Sequence, residues 1–352
     1  MKFFVFVQNL YPVWGGAEKS LDTLIKSLQS AGHEVKWSCE SNTNPNHPRD
    51  YALAVWEGDE DKHPDKLAQW CDVIITQLNW IPKAVNLAEQ YGKKSVIFMR
   101  SYENLCRIVF TDPKFHAECK QECTGCAHKI TGYEIGGLSY RKASLIIANS
   151  NWTQHFLKKY HNLKSEVVYP FINFDDYNIT EPRTQKYIAM NQLSYAKGGD
   201  IFLKIAQTLK QSKFKIVGNN GWMPSYDLPK NVELVGFQDP ADIYKDVDIW
   251  LNPARWEEPF GRTPIEAQLA GVPVIASNYS TIRFDKPIID GETGIVIKQL
   301  NNIRGWVSAI KRIRRKRDSF ITHNANEVLR RFSQENNTKK FIQLMEKICQ
   351  KK

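Results

Sequence analysis

Short apolar runs alternate with amphipathic segments along the first half of the chain. Residues 2–7 form an apolar run, and residues 17–30 follow it with leucine and isoleucine at the spacing of one helix face. Four further segments of strand length occupy residues 34–38, 72–76, 95–99 and 145–148. Because helical stretches separate these segments, the pattern predicts βαβ units and a parallel sheet with helices on both faces.

The second half of the chain repeats this alternation. A strand is predicted at residues 186–190 and a helix at residues 200–209. Further strands are predicted at residues 214–218, 232–235, 248–251 and 272–276. The pattern therefore predicts an α/β protein with two Rossmann-like domains, at residues 1–168 and 169–334, and a helical tail at residues 335–352.

One stretch in the second half places two carboxylates around a glycine turn. Glu258 and Glu266 are separated by seven residues, and Gly261 lies between them. Thr263 and Pro264 predict the start of a helix, because threonine caps a helix well and proline suits its first position. A strand, a glycine turn and a helix thus follow one another at this point.

A helix start reached through a glycine turn suits an anion, because free backbone N–H groups and the helix dipole favour negative charge. The two carboxylates would repel a phosphate, but they suit groups rich in hydroxyls. A diphosphate between two hydroxyl-rich groups describes a nucleotide-sugar. The alternative interpretation is an ordinary strand–loop–helix connection with two solvated glutamates.

The stretch resembles the Glu-x7-Glu motif of the retaining glycosyltransferases of family 4, within glycosyl transferases group 1. The resemblance implies the GT-B fold, in which two Rossmann-like βαβ domains face a central cleft. The N-terminal domain would then bind the acceptor and the C-terminal domain the nucleotide-sugar, with the final helix crossing back to the N-terminal domain. By the same resemblance, Glu266 holds the ribose and Glu258 contacts hydroxyls of the donor sugar. The backbone takes the diphosphate, and the donor-contacting loop residues are Phe260, Gly261, Arg262 and Thr263.

The loop after the strand at residues 186–190 carries a lysine with a predicted catalytic role. Family members usually have Gly-Arg-Leu and then Lys-Gly here, and Lys197 matches the lysine that neutralises the leaving diphosphate. Gln192 stands where an arginine is expected, and an amide can donate a hydrogen bond but brings no charge. The resemblance therefore leads us to expect that Arg262 supplies the missing charge, with Glu258, Lys197 and Arg262 as the catalytic residues.

Three more positions resemble donor-binding turns of the family. Gly15 and Gly16 follow the first strand, where glycine lets the backbone approach a ligand closely. Asn219 lies in a glycine turn, and Phe237 follows a strand end that would lie against the nucleotide base. Each could equally be a routine turn. The Gly-Gly sequence is not a Gly-x-Gly-x-x-Gly fingerprint, which argues against a dehydrogenase.

Arg100 and Ser101 are the predicted acceptor-binding residues. They follow the strand at residues 95–99, where many family members carry a histidine close to the donor sugar. An arginine at this point could hold an acidic acceptor or a phosphate-bearing lipid. It could also be an ordinary loop cation.

Composition indicates a globular protein. The 352 residues are 42% hydrophobic and 24% charged, and no apolar run approaches the length of a membrane span. The first apolar run is too short for a signal-peptide core. We therefore expect a cytoplasmic enzyme, with peripheral attachment to the inner face of the membrane as a further option.

The net charge of +10 is concentrated at the C-terminal end. Residues 304–352 contain fourteen Lys or Arg and four Asp or Glu, so this segment accounts for the whole excess. The charge would attract an anionic membrane surface, or it could be a solvated helix face. Nucleic acid is not an expected partner, because no nucleic-acid-binding signature accompanies the charge.

Four of the seven cysteines lie close together in the sequence. They are Cys106, Cys119, Cys123 and Cys126, with histidines nearby. Thiolates at such spacing can hold a structural zinc, although the usual paired Cys-x2-Cys knuckles are absent. The alternative is a set of free or buried cysteines.

The sequence predicts transfer of a sugar from a nucleotide-sugar to an acceptor hydroxyl with retention of configuration, in polysaccharide or glycoconjugate synthesis. The nucleotide-sugar is a substrate, a UDP-sugar or else a GDP-sugar, so no cofactor is expected. Lys197 and Arg262 would take the place of a divalent metal. Two alternatives stay open: a nucleotide-sugar epimerase of similar fold, and a non-catalytic nucleotide-sugar-binding protein.

Overall fold

The computed structural model describes residues 1–10, 15–41, 63–101, 105, 138–177, 184–218, 228–236, 238–321 and 327–350. These residues form two compact units. The first contains the described residues up to Ile172 and those from Phe332 onward, and the second contains those from Asn173 to Arg331. The assignment of one unit to the acceptor and the other to the nucleotide-sugar stays a prediction.

The first unit is built on a sheet of six parallel strands. They are β1 (Lys2–Asn9), β2 (Glu34–Ser41), β3 (Val73–Gln77), β4 (Lys94–Met99), β5 (Leu145–Ala148) and β6 (Glu166–Val167). The helices described between them are α1 (Gly16–Ser30), α2 (Pro64–Trp70), α3 (Ile81–Gln90), α4 (Leu138–Lys142) and α5 (Asn151–His161). The strand order is β2-β1-β3-β4-β5-β6, and every described pair is parallel, which confirms the predicted βαβ architecture.

The second unit repeats the plan. Its strands are β7 (Tyr187–Asn191), β8 (Lys213–Val217), β9 (Val232–Val235), β10 (Val247–Asn252), β11 (Val274–Ser277) and β12 (Gly294–Ile297). Its helices are α6 (Gly199–Thr208), α7 (Pro240–Tyr244), α8 (Thr263–Leu269), α9 (Ser280–Phe284), α10 (Ile303–Arg315), α11 (Arg317–Ile321) and α12 (Glu327–Arg330), and a 3-10 turn, Phe174–Tyr177, precedes β7. The strands are again parallel, in the order β12-β11-β10-β7-β8-β9.

The last helix, α13 (Gln334–Gln350), belongs to the first unit. Its Phe341 is fully buried and lies 5.6 Å from Phe98 of β4, ring centre to ring centre. Asn337 accepts a hydrogen bond of 2.9 Å from the backbone N–H of Tyr169. The end of the chain is therefore held in the core of the unit in which the chain begins.

Each sheet changes the direction of its strand order at one place. In the first sheet the change lies between β1 and β3, and in the second it lies between β7 and β10. Loops leave the carboxyl ends of such neighbouring strands toward opposite faces and open a crevice, which is where open α/β sheets bind ligands. The candidate ligand-binding regions are therefore the loops that follow β7 and β10 and those that follow β1, β3 and β4.

Candidate functional site

The loops after β7 and β10 are held together at the switch point of the second sheet. Gly198 has a φ of +78°, and a Cβ added there would lie 1.9 Å from the carbonyl oxygen of Pro253. Only glycine meets both conditions. The backbone N–H of Arg255 donates to the carbonyl of Ala196 at 2.8 Å. The segment around Lys197 is thus fixed against the segment that leads to Glu258.

Lys197 and Glu258 form an ion pair at this junction. The ammonium of Lys197 contacts the Oε1 atom of Glu258, and the two side chains are 13% and 18% exposed. The same ammonium lies 5.2 Å from the ring centre of Trp256. Gly261, with a φ of +72°, turns the chain behind the Glu258 carboxylate. Two residues predicted from separate motifs are therefore brought into direct contact.

The second motif carboxylate is also paired with a cation. The Nε atom of Arg262 donates to Oε1 of Glu266 at 2.8 Å, one helical turn further along. Tyr177 and Tyr244 are both buried and hydrogen-bond with Glu266. Burial, reinforced by the Glu266 carboxylate, raises the pKa of each tyrosine well above its ordinary value. These four side chains form one polar cluster beneath the glycine turn.

A third ion pair joins the loop after β10 to the start of α6, the helix that follows the loop of Lys197. Arg255 donates to both oxygens of Asp200, from Nε at 3.0 Å and from Nη2 at 2.6 Å. Its Nη2 atom also donates to Oδ1 of Asn301 at 3.0 Å, and its guanidinium lies 4.7 Å from the ring centre of Tyr195. The hydrogen bond to Asp200 is the main cause of a raised pKa for Arg255. Neither Arg255 nor Asp200 is among the site residues predicted from the sequence.

The other predicted donor residues occupy varied positions. Gln192 follows β7 with a φ of +51°, an unfavourable conformation for a residue with a side chain, and its N–H donates to Val217 at 2.8 Å. Phe260 is buried and Thr263 is the first residue of α8. Asn219 and Phe237 lie outside the described residues.

Gly15 and Gly16 lie in the first unit at the start of α1, where Gly15 is the residue before the helix and Gly16 its first residue. A Cβ added to Gly15 would lie 1.9 Å from the Oε2 atom of Glu18. Glu18 is buried, and burial raises the pKa of its carboxyl, although a backbone hydrogen bond and the charge of Arg100 act in the opposite direction. Gly15 therefore makes room for a buried acid close to Arg100.

Arg100 directly follows β4 and lies in a polar cluster of the first unit. It is 9% exposed, and its Nε atom donates to Oε1 of Gln77 at 3.0 Å. Its guanidinium lies 4.6 Å from the ring centre of Phe98, and its carbonyl accepts from Asn149 at 3.4 Å. Ser101 follows at the same sheet edge. Three residues outside the predicted site join this cluster: Gln77 and Asn149 from neighbouring strand ends, and Glu18 from the first turn of α1.

The chain contains two Asp-x-Asp sequences, a pattern that can hold a divalent metal, at residues 59–61 and 246–248. Asp246 contacts the ammonium of Lys215, and Asp248 contacts Arg314 and Arg317. The first sequence and the four clustered cysteines lie outside the described residues. Within the described ranges no group of three or more His, Cys, Asp or Glu could hold a metal ion.

The basic segment at the C-terminal end divides into two groups of cations. The Asp248 side chain is 7% exposed. Its carboxylate accepts a hydrogen bond of 2.8 Å from Nε of Arg314 and forms an ion pair with Arg317. These two arginines therefore hold α10 and α11 against β10. Arg314 is nonetheless exposed, as are four more cations of α10: Arg304, Lys311, Arg312 and Arg315. Among the described helices none is long and apolar enough to cross a membrane.

Residues 178–336 match the family model of glycosyl transferases group 1. The chain is similar over its whole length to HepE of Anabaena, solved with UDP and glucose, at a TM-score of 0.74 and 17% identity, covering 99% of this chain and 100% of that one. The GT-B fold predicted from the sequence is confirmed.

Two curated relatives extend the comparison. An uncharacterised 42.6 kDa protein in the cps region of Klebsiella pneumoniae is 25% identical over 331 residues, which cover 79% of this chain and 86% of the relative. A lipopolysaccharide core biosynthesis mannosyltransferase of Rhizobium meliloti, LpsB, is 33% identical over 91 residues, a quarter (25%) of each chain.

Proposed function

We propose that the chain, whose residues 178–336 match the family model of glycosyl transferases group 1, is a retaining glycosyltransferase with a nucleotide-sugar donor and a sugar or lipid-linked sugar acceptor. The relatives named for a cps region and for lipopolysaccharide core biosynthesis support a place in polysaccharide synthesis. A UDP-sugar is the favoured donor and a GDP-sugar the alternative.

The contact between Lys197 and Glu258 carries this proposal. In a nucleotide-sugar the sugar ring and the phosphate are joined through one oxygen, so the groups that recognise them must also be adjacent. A lysine ammonium has three donors, and a carboxylate has about four acceptor positions. Lys197 can therefore keep Glu258 and still bind a phosphate oxygen, while Glu258 accepts hydrogen bonds from sugar hydroxyls.

The chemistry follows from that placement. The bond between the anomeric carbon and the phosphate oxygen breaks, and its electron pair stays on the diphosphate. The acceptor oxygen forms the new bond on the same face, and its proton passes to the leaving diphosphate. Negative charge grows on the diphosphate during this step, so a fixed cation beside it lowers the barrier. Lys197 is that cation, and the site works without a divalent metal.

Arg255 should act as a positioning residue for Lys197. Arg255→Gln removes the double hydrogen bond to Asp200 that joins the loop after β10 to the start of α6. We expect kcat to fall about tenfold, because small misplacements of a catalytic group are costly in rate. Steady-state kinetics with the preferred donor would measure the change.

Arg283→Gln is the matched control, because its pair with Glu257 connects α9, and not α6, to the loop that carries Glu258. Asp200→Asn should reproduce the loss, and the double variant should be no worse than either single one. Independent, additive losses would contradict a shared clamp.

The acceptor side of the proposal rests on the first unit. Arg100 and Ser101 lie at the carboxyl edge of the sheet, with Glu18, Gln77 and Asn149 around Arg100. A buried guanidinium and a buried carboxyl group lie close together here, and such groups can donate and accept hydrogen bonds with a molecule that has many hydroxyl groups. We assign this cluster to the acceptor.

An anionic membrane surface is the second proposed partner. Changing Arg304, Lys311 and Arg315 to Gln should reduce binding to vesicles that contain an anionic lipid, because each exposed cation near such a surface adds roughly 1 kcal/mol. Changing the exposed Lys210, Lys213 and Lys230 to Gln removes the same charge elsewhere in the unit. Vesicle co-sedimentation at rising salt measures both. Equal loss in the two triple variants, or equal binding to neutral vesicles, would contradict the proposal.

A further inference from the structure

Arg262 lies where the glycine turn enters α8, and its side chain is directed to Glu266. The Nε to Oε1 distance is 2.8 Å, and the two side chains are 11% and 14% exposed. We propose that Arg262 is a positioning residue, which fixes the Glu266 carboxylate for the ribose of the donor, and that the diphosphate is bound without it. The inference rests on the proposed function.

The burial of Arg262 supports this role. A guanidinium removed from water is stable when its charge is compensated close by. Burial alone would lower the pKa of Arg262, but the Glu266 carboxylate and Tyr177 more than offset it, and the pKa is raised. An arginine that turned toward a phosphate would leave the carboxylate of Glu266 without its cation.

The tyrosines make Glu266 the centre of the cluster. Tyr177 is 1% exposed and hydrogen-bonds with both Glu266 and Arg262, and Tyr244, also 1% exposed, hydrogen-bonds with Glu266. Tyr177 comes from the 3-10 turn before β7 and Tyr244 from α7, so the carboxylate is held from three directions. Of the roughly four positions at which a carboxylate accepts a hydrogen bond, Arg262 and the tyrosines occupy three. The Glu266 side chain is still 14% exposed, so the carboxylate can also accept a hydrogen bond from a ribose hydroxyl.

This role changes the expected source of charge for the diphosphate. From the family resemblance, Arg262 was expected to supply the positive charge that is missing because Gln192 stands in place of an arginine. With Arg262 committed to Glu266, the side-chain charge next to the leaving group comes from Lys197. The positive side-chain charge beside the leaving diphosphate then comes from one lysine, so removal of this lysine should lower the rate of transfer more strongly.

The test separates contact with ribose from contact with phosphate. Affinities for four probes would be measured by calorimetry on the full chain: uridine, UDP, 2′,3′-dideoxy-UDP and inorganic pyrophosphate, with the guanosine set in their place if the parent prefers GDP. Arg262→Gln should weaken nucleoside and nucleoside diphosphate by the same factor, about tenfold for loss of a charge-assisted contact. It should leave pyrophosphate and the dideoxy nucleotide unchanged.

Loss of affinity for the diphosphates and for pyrophosphate, with the nucleoside unchanged, would place Arg262 on the phosphate and overturn the inference. Tyr177→Phe is the second variant in case Arg262→Gln does not fold, and it should produce a smaller loss, about threefold, confined to ligands that carry the ribose hydroxyls. An unchanged affinity of both variants for every ligand would also overturn it. If the parent protein binds neither UDP nor GDP, the proposed function itself fails, which is a different result from an altered pattern among variants.

Discussion

Lys197→Met is expected to lower the rate of sugar transfer about 100- to 1000-fold, the usual cost of removing one group that stabilises charge in a transition state. The methionine keeps the length of the side chain but provides no charge next to the diphosphate. Because the developing charge is stabilised more than the ground state, kcat should fall more than KM rises. Nucleotide release from the preferred donor measures both constants.

Lys204→Met is the matched control for that change. Lys204 lies on α6, the helix that follows the loop of Lys197, and its side chain is 61% exposed. Its ammonium lies 3.9 Å from Asp200, a carboxylate that Arg255 already holds through two shorter hydrogen bonds, so kcat should stay near that of the parent. Lys197→Arg should retain part of the activity. Full activity of Lys197→Met would remove the account of the leaving group.

Glu258→Gln should impair turnover of the sugar donor and spare the binding of free nucleotide. The carboxylate accepts hydrogen bonds from the donor sugar in this account, and a single charged hydrogen bond is worth about 1.5–3 kcal/mol. We therefore expect kcat/KM for the donor to fall about 10- to 100-fold. The affinity for the nucleoside diphosphate should be unchanged or slightly higher, because Lys197 loses its competing partner.

The neighbouring residue provides the control. Glu257→Gln makes the same chemical change one position earlier, where the carboxylate pairs with Arg283, and it should leave both quantities unchanged. Glu266→Ala should differ from both by weakening nucleotide and nucleotide-sugar alike. If Glu258→Gln weakens free nucleotide as strongly as Glu266→Ala does, the division of roles between the two carboxylates is wrong.

The strands were the most predictable part of the fold, because each forms a short apolar run between turn residues. The predicted limits of β5 and β9 agree with Leu145–Ala148 and Val232–Val235. β6 contains only two residues and gives no periodic signal, and β12 follows a region without a clear helical pattern. Helix α8 begins at Thr263 with no side-chain cap, one residue before the predicted first helical position at Pro264.

The contacts of the site were harder to predict than its residues. Spacing could have paired Arg262 with Glu266, because residues four apart share a helix face. The family resemblance directed Arg262 to phosphate instead. The pair of Arg255 and Asp200 joins residues that are 55 apart in the chain, and no local pattern predicts it. Such contacts depend on strand order, which the alternation of elements does not specify.

The net charge of a segment does not show which of its cations are paired in the folded protein. The run from Lys311 to Arg317 predicts one uniformly solvated or membrane-facing segment. In the structure Arg314 and Arg317 neutralise Asp248, whose carboxylate is nearly buried. Substitution of these two arginines would therefore change the stability of the unit, and it would not be a test of membrane attraction.

The most direct test of the central claim is incubation of the full-length protein with a panel of UDP-sugars and GDP-sugars and a glycan acceptor mixture. Released nucleoside diphosphate and the anomeric configuration of the product would be followed by NMR. The account predicts release from one donor, with transfer in which the anomeric configuration is retained. Conversion of the donor to an epimer would favour the epimerase. Donor binding without release, or an inverted product, would contradict the claim that this is a retaining glycosyltransferase.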